Sequence, residues 1–152
     1  MPADAKPSTI GYSGRTLAQK LGYDKPGLHV ATVRSPEPYA EWLRDVWSDL
    51  DSTLLSTAEL LKAKAPFDII HLFTYDRSQL DRDIAHALAA AATPKGAVWI
   101  SWPKKTSKLF VDVTEDTLRE VILPLGWVDV KVSAVSADWS GLKFLRRKPA
   151  KT

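Results

Sequence analysis

The sequence contains no cysteine, and this absence excludes three kinds of chemistry at once. Disulfide bonds, cysteine nucleophiles and thiolate metal sites all need a residue that the chain lacks. Histidine is also scarce, and its three residues show neither H-x-H nor HExxH spacing. Because metal ligands on one element need such spacing, the sequence predicts no metal site.

Long apolar segments are missing as well, and none approaches the roughly 20 residues that a membrane-spanning helix needs. Residues 1–8 are polar, contain two prolines and lack the apolar core of a signal peptide. We therefore expect a cytoplasmic protein without a membrane partner.

Glycine-based catalytic and phosphate-binding motifs are absent too. The seven glycines form no P-loop, no GxGxxG and no GxSxG. The sequence therefore identifies no catalytic residue, and we expect a binding module more readily than an enzyme.

Two nearly continuous apolar runs, at residues 67–73 and 97–102, stand out in what the chain does contain. Strands without polar alternation are buried on both faces, as parallel strands covered by helices are. Apolar residues at helical spacing lie between the runs: Leu80, Ile84, Leu88 and Ala91. The stretch predicts a βαβ unit whose two strands are parallel neighbours.

Similar patterns predict the other elements. Strands are expected at residues 29–33, 53–56 and 127–134, and the short turn before residues 142–146 requires an antiparallel return. Ser35 is expected to cap a helix whose apolar face extends to Leu50, and Thr114 to cap another. The sequence thus predicts a three-layer α/β/α sandwich with a mostly parallel sheet that ends in an antiparallel hairpin.

The chain divides into a flexible tail at residues 1–10, one Rossmann-like domain at 11–147 and a basic tail at 148–152. The formal net charge is +3, from 21 basic and 18 acidic residues. Arg146, Arg147 and Lys148 offer a weak alternative function, nucleic-acid binding, but such a site needs a basic face with interleaved aromatic residues. We expect nucleic acid not to be the partner.

Parallel strands closed by an antiparallel pair resemble the Rossmann-like methyltransferase fold over residues 28–147. More specifically, the chain resembles a small bacterial family described as domain of unknown function 3052. The segments that carry this resemblance are Tyr12-Ser13-Gly14, Lys20-Leu21-Gly22, residues 99–105, residues 114–116, residues 127–132 and residues 139–144. The resemblance implies a fold without an established reaction.

Methyltransferases resemble one another in a glycine-rich turn after the first strand, which lets the backbone approach S-adenosylmethionine. In this sequence residues 33–38 form that turn with two prolines and no glycine. Proline removes N–H donors and fixes φ. We therefore expect no cofactor. The alternative is a divergent S-adenosylmethionine-dependent methyltransferase, in which Tyr75 or Asp76 lies near the point of methyl transfer.

The best candidate site is the edge of the sheet where the parallel strands end, because ligands of open α/β sheets gather there. The candidate ligand-binding residues at this edge are Arg34, Ser35, Asp76, Trp102, Lys104 and Lys105. Their cationic groups suit a small anion, and their tryptophan suits a protein partner. Alternatives remain for each feature: the lysines can be a solvated loop, Asp76 a helix cap and the tryptophan a core residue. The first hypothesis is a non-enzymatic module that binds an anion or a protein partner.

Overall fold

Six strands form one mixed sheet in the order β2-β1-β3-β4-β6-β5. The strands are β1 (His29–Val33), β2 (Asp51–Leu55), β3 (Ile69–Phe73), β4 (Ala97–Pro103), β5 (Trp127–Ala134) and β6 (Trp139–Arg146). The computed structural model describes residues 16–25, 27–44, 46, 51–55, 67–91 and 95–148, with backbone alone for 51–55.

The two apolar runs lie side by side at the centre of the sheet. Strands β3 and β4 are parallel, with a register that runs from Ile69 opposite Ala97 to Phe73 opposite Ser101. All residues of both strands are buried. The central prediction from the sequence is therefore confirmed.

Helices cover both faces of the sheet. They are α1 (Leu17–Leu21), α2 (Tyr39–Trp42), α3 (Arg77–Ala90) and α4 (Glu115–Ile122), and a 3-10 turn, Leu123–Leu125, follows α4. Helices α3 and α4 bury Leu80, Ile84 and Leu118 in the core on one face. Helices α1 and α2 bury Leu17 and Tyr39 in the core on the other. This arrangement is the three-layer α/β/α sandwich that the sequence predicts.

Helix α2 begins later than the sequence suggests. Its N-cap is Pro38, which offers no side-chain hydrogen bond, so Ser35 does not cap it. The Tyr39 amide donates to the Pro36 carbonyl and closes a turn before the helix. Two prolines in four residues keep this segment a turn, because proline lacks an N–H and restricts the residue before it. The prediction of a helix from Ser35 is wrong.

The C-terminal hairpin is antiparallel as expected, but β6 lies between β4 and β5. This arrangement brings Gly141 against the centre of the sheet. A Cβ at Gly141 would lie 3.0 Å from Val135 Cγ2, 3.2 Å from Ser101 Oγ and 3.3 Å from Trp99 Cε3. A larger residue would therefore require these neighbours to shift by a few tenths of an ångström.

Some predictions fall on parts of the chain outside the described residues. These are the flexible tail at 1–10, the Tyr12-Ser13-Gly14 turn, a short segment at 58–65 and most of the basic tail at 148–152. Within the described part of the chain, no helix has the length and apolar character that crossing a membrane requires.

Candidate functional site

The order of the parallel strands reverses between β1 and β3. Strand β2 lies on one side of β1, and β3 and β4 follow on the other side. Ligands of open α/β sheets bind outside the carboxyl ends of the strands at such a switch point. Arg34 follows β1 at this point, and Thr74, Tyr75 and Asp76 follow β3.

Arg34 shapes the turn at the switch point. Its φ is 58°, the left-handed conformation that glycine adopts most easily. The guanidinium bends back over the strand ends. Nη1 donates to the Phe73 carbonyl at 2.9 Å, and Nη2 donates to Asp83 Oδ2 at 2.7 Å. Arg34 therefore makes the turn without a glycine, and Ser35 follows it half-buried.

Asp76 is the N-cap of α3. Its carboxylate accepts hydrogen bonds from the Gln79 amide at 2.9 Å and the Ser78 hydroxyl at 2.8 Å. The bond from the Gln79 backbone is the main cause of a lowered Asp76 pKa, and the Ser78 hydroxyl adds to it. The capping role explains this residue without invoking a ligand.

Tyr75 and Trp139 form an aromatic pair at the same edge of the sheet. Their ring centroids lie 5.0 Å apart, and the rings are nearly perpendicular at 86°. Trp139 is buried, whereas Tyr75 is half-buried. Tyr75 follows the last residue of β3 by two positions, so the pair lies just beyond the carboxyl end of that strand.

Trp102, Lys104 and Lys105 line one cavity of about 390 Å³ at the end of β4. The other lining residues come from the start of α4 and from β6: Thr114, Glu115, Asp116 and Ser140. The structure thus brings three candidate residues together around this cavity. It places the other three, Arg34, Ser35 and Asp76, at the ends of β1 and β3.

Four buried side chains form a hydrogen-bond network on the face of the sheet that α1 and α2 cover. Tyr23 Oη lies 2.8 Å from Tyr39 Oη, which lies 2.8 Å from His71 Nδ1. His71 Nε2 in turn lies 2.6 Å from Ser101 Oγ. Burial lowers the His71 pKa to about 3, so the imidazole is neutral at pH 7. His71 is thus a satisfied core residue, as its place in an apolar strand indicates.

The sequence analysis did not predict this hydrogen-bond network, because the four residues that form it are far apart in sequence. His71 and Ser101 each lie within an apolar run, which is the only signal that the sequence offers. Polar residues inside such runs need buried partners, because an unpaired buried polar group costs about 1–3 kcal/mol.

The basic residues at the end of β6 are engaged within the fold. The Arg146 guanidinium lies 4.6 Å from the centre of the Trp127 ring and donates to the Ala91 carbonyl. Arg147 donates to the Leu123 carbonyl at 3.2 Å. Nucleic-acid binding through these residues stays a prediction.

Among the described residues, no group of three or more His, Asp or Glu side chains could hold a metal ion.

Several solved structures similar to this chain are methyltransferases. No family model and no curated protein matches the sequence. A putative type 11 methyltransferase from Sulfolobus solfataricus is similar with a TM-score of 0.59 and 11% identity, covering 90% of this chain and 92% of that one. A TehB-like SAM-dependent methyltransferase from Corynebacterium glutamicum has a TM-score of 0.54 and 11% identity, covering 87% of each chain. A ribosomal protein L11 methylase from Lactobacillus delbrueckii subsp. bulgaricus has a TM-score of 0.55 and 17% identity, covering 87% of this chain and 77% of that one.

The fold is therefore the Rossmann-like fold of methyltransferases, as the element order indicates. The expectation that the chain has no cofactor is contradicted by these structures, and its premise was incomplete. It rested on a turn without glycine, yet Arg34 adopts the left-handed conformation there. The comparisons also favour the methyltransferase alternative over a non-enzymatic module, while membership in the bacterial family of unknown function stays a prediction.

Proposed function

We propose that this chain is a divergent S-adenosylmethionine-dependent methyltransferase that binds its cofactor at the carboxyl ends of β1 and β3. The observation that carries the proposal is the reversal of strand order between these two strands. A cofactor at a switch point contacts the turns after both strands. The similar solved structures support the proposal through their fold.

The residues at this edge suit the charged end of the cofactor. S-adenosylmethionine carries a carboxylate, an ammonium and a sulfonium, so it needs both a cation and an electron-rich surface nearby. The Arg34 side chain is 18% exposed and would hold the carboxylate, together with the Ser35 hydroxyl. The half-buried Tyr75 ring, which packs edge-on against the buried Trp139, offers an aromatic face that would attract the cationic groups.

The Arg34 side chain is already held in place before any cofactor binds. The two hydrogen bonds of the guanidinium draw the side chain toward Phe73 and Asp83. They fix the side chain in place, so binding would not require it to become ordered. Pre-organisation of this kind saves the entropy cost of immobilising a long side chain, about 0.5–1.5 kcal/mol.

When bound, S-adenosylmethionine would supply an electrophilic methyl group for transfer to a nucleophilic atom of the acceptor. The residues of this chain have to align the two reactants and exclude water. The buried Trp139 at this edge of the sheet would help to exclude water.

Isothermal titration calorimetry with S-adenosylhomocysteine and S-adenosylmethionine tests the proposal. We expect saturable binding at a 1:1 ratio, weakened at least tenfold in Tyr75→Leu, which keeps an apolar side chain but removes the aromatic ring. Lys95→Leu is the matched control, because Lys95 is exposed just before the amino end of β4 and should leave binding unchanged. A flat titration at millimolar ligand would refute the proposal.

A further inference from the structure

The cavity at the end of β4 is large enough for a small organic molecule. Its volume of about 390 Å³ falls within the ~300–1,000 Å³ of typical ligand pockets. It lies beside the proposed cofactor site, because β4 is the neighbour of β3 and stands two strands from β1. The register places Val33 level with Ile100, so β4 extends three residues past the end of β1. With strands about 4.8 Å apart and a rise of about 3.3 Å per residue, the two strand ends lie about 14 Å apart.

The acidic and basic side chains around the cavity differ in their ion-pair partners. Arg119 forms ion pairs with both carboxylates that line it, Glu115 and Asp116, and also with Asp129, so three carboxylates share one guanidinium. In contrast, neither Lys104 nor Lys105 forms an ion pair with a carboxylate in the described part of the chain. An anion that enters the cavity therefore meets two ammonium groups that have no ion-pair partner among the described residues, and two carboxylates that share Arg119 with Asp129.

The base of the lysine loop is held in place. The Lys104 amide donates to the Asp138 carbonyl at 2.8 Å, and the Ser107 amide donates to the Lys104 carbonyl at 2.9 Å. The Ser107 hydroxyl also donates to Asp138 Oδ1 at 2.9 Å. These bonds fix the backbone that carries the lysines, and they occupy the Asp138 carboxylate with Ser107.

Trp102 adds an aromatic wall to the cavity. The residue is 6% exposed, so its ring is fixed by the core while part of it borders the cavity. An aromatic side chain next to cationic groups suits a planar ring that bears a negative charge, since rings stack or pack edge to face and the charge pairs with lysine.

From this arrangement we propose that the cavity binds the acceptor substrate, and that the acceptor is a small aromatic carboxylic acid. Lys104 and Lys105 pair with its carboxylate, and Trp102 packs against its ring. The acceptor role rests on the proposed methyltransferase function, whereas the binding preference stands on the cavity alone.

Ligand-observed NMR and calorimetry with 4-hydroxybenzoate test the preference, with 4-hydroxybenzamide as the neutral analogue and inorganic phosphate as the non-aromatic anion. We expect the carboxylate to bind at least tenfold more tightly than the amide and than phosphate. A charge-assisted hydrogen bond contributes about 1.5–3 kcal/mol, and about 1.4 kcal/mol corresponds to a tenfold change. The double variant Lys104→Met/Lys105→Met should remove this difference, whereas Lys95→Met should keep it.

Equal binding of carboxylate and amide, or binding unchanged by the double variant, would overturn the charge preference. Phosphate binding as tight as that of 4-hydroxybenzoate would overturn the aromatic preference.

Titrations of S-adenosylhomocysteine separate this inference from the function on which it rests. Binding of the carboxylate without the nucleoside leaves the cavity as a binding site and refutes the acceptor role. Binding of the nucleoside without the carboxylate leaves the methyltransferase proposal and refutes the substrate class.

Discussion

Arg34 and Asp83 form an ion pair that ties the turn after β1 to the helix after β3. The Arg34 Nη2 atom lies 2.7 Å from Asp83 Oδ2, and the Asp83 side chain is fully buried. Asp83 lies on the face of α3 that packs against the sheet. A buried carboxylate of this kind needs a cationic partner, so the pair fixes the position of the turn at the switch point.

Replacing Arg34 with leucine should lower the free energy of unfolding by about 1.5–3 kcal/mol, because the buried Asp83 carboxylate loses a charge-assisted hydrogen bond and keeps the more exposed Arg82. Urea denaturation followed by far-UV circular dichroism measures this loss. The double variant Arg34→Leu/Asp83→Leu should recover most of it, since an apolar pair of similar volume is often as stable as a buried ion pair. Equal stability of Arg34→Leu and the native chain would contradict the structural role of the pair.

The buried state of His71 makes stability depend on pH. Its folded pKa of about 3 lies below the ordinary value of 6.5. Between these values the unfolded chain binds a proton that the folded chain does not, so stability falls as pH decreases below 6.5. The His71 contribution amounts to about 1.4 kcal/mol for each pH unit, or about 2 kcal/mol at pH 5.

Denaturant titrations at pH 7.5 and pH 5 check this contribution. His71→Gln should lose this part of the slope, even if the variant is less stable at both pH values. His86→Gln is the control, because His86 is exposed on α3. If the native chain and His71→Gln show the same change between the two pH values, the histidine is not protected from protons in the folded state.

Gly141→Ala should destabilise the fold by about 1–3 kcal/mol, the usual cost of overpacking a dense core. The added Cβ would lie 3.0 Å from Val135 Cγ2, so the valine would have to shift by a few tenths of an ångström within the core. Thermal denaturation measures the loss, and Ser140→Ala at the adjacent position should cost less. A double-mutant cycle with Val135→Ala should show favourable coupling between the two sites. Independent effects would mean that the backbone moves to make room.

Asp76 should act as a helix cap that depends on hydrogen-bond acceptance and not on charge. Asp76→Ala should lower the thermal midpoint, because it leaves the Gln79 amide without its acceptor. Asp76→Asn should stay close to the native chain, since asparagine is an equally good N-cap. Ser78→Ala removes the second bond and keeps the cap, so it serves as the milder control. Should Asp76→Asn be as unstable as Asp76→Ala, the capping explanation fails.

The central part of the fold follows from local sequence patterns. Uninterrupted apolar runs, such as residues 67–73, identify buried parallel strands because no solvent-facing position interrupts them. The position of β6 between β4 and β5 does not follow in this way. It depends on which edge of the sheet receives the returning strand, and a short turn before β6 fits either arrangement.

The candidate site was partly predictable. Lys104 and Lys105 follow a buried strand directly, so their place at the carboxyl edge is fixed by chain connectivity. The left-handed conformation of Arg34 was not predictable, since arginine rarely adopts it. It is held by partners 39 and 49 residues away in sequence. Long-range contacts of this kind leave no trace in local periodicity.

The last strand along the chain is an inner strand of the sheet, with β4 on one side and β5 on the other. During synthesis, β5 leaves the ribosome before the strand that joins it to the rest of the sheet. Until β6 inserts, the open edge of β4 and the whole of β5 have unpaired backbone groups, and such edges favour aggregation. Completion of this sheet is therefore a late event, and a chain that ends before Trp139 would lack the strand that connects its two parts.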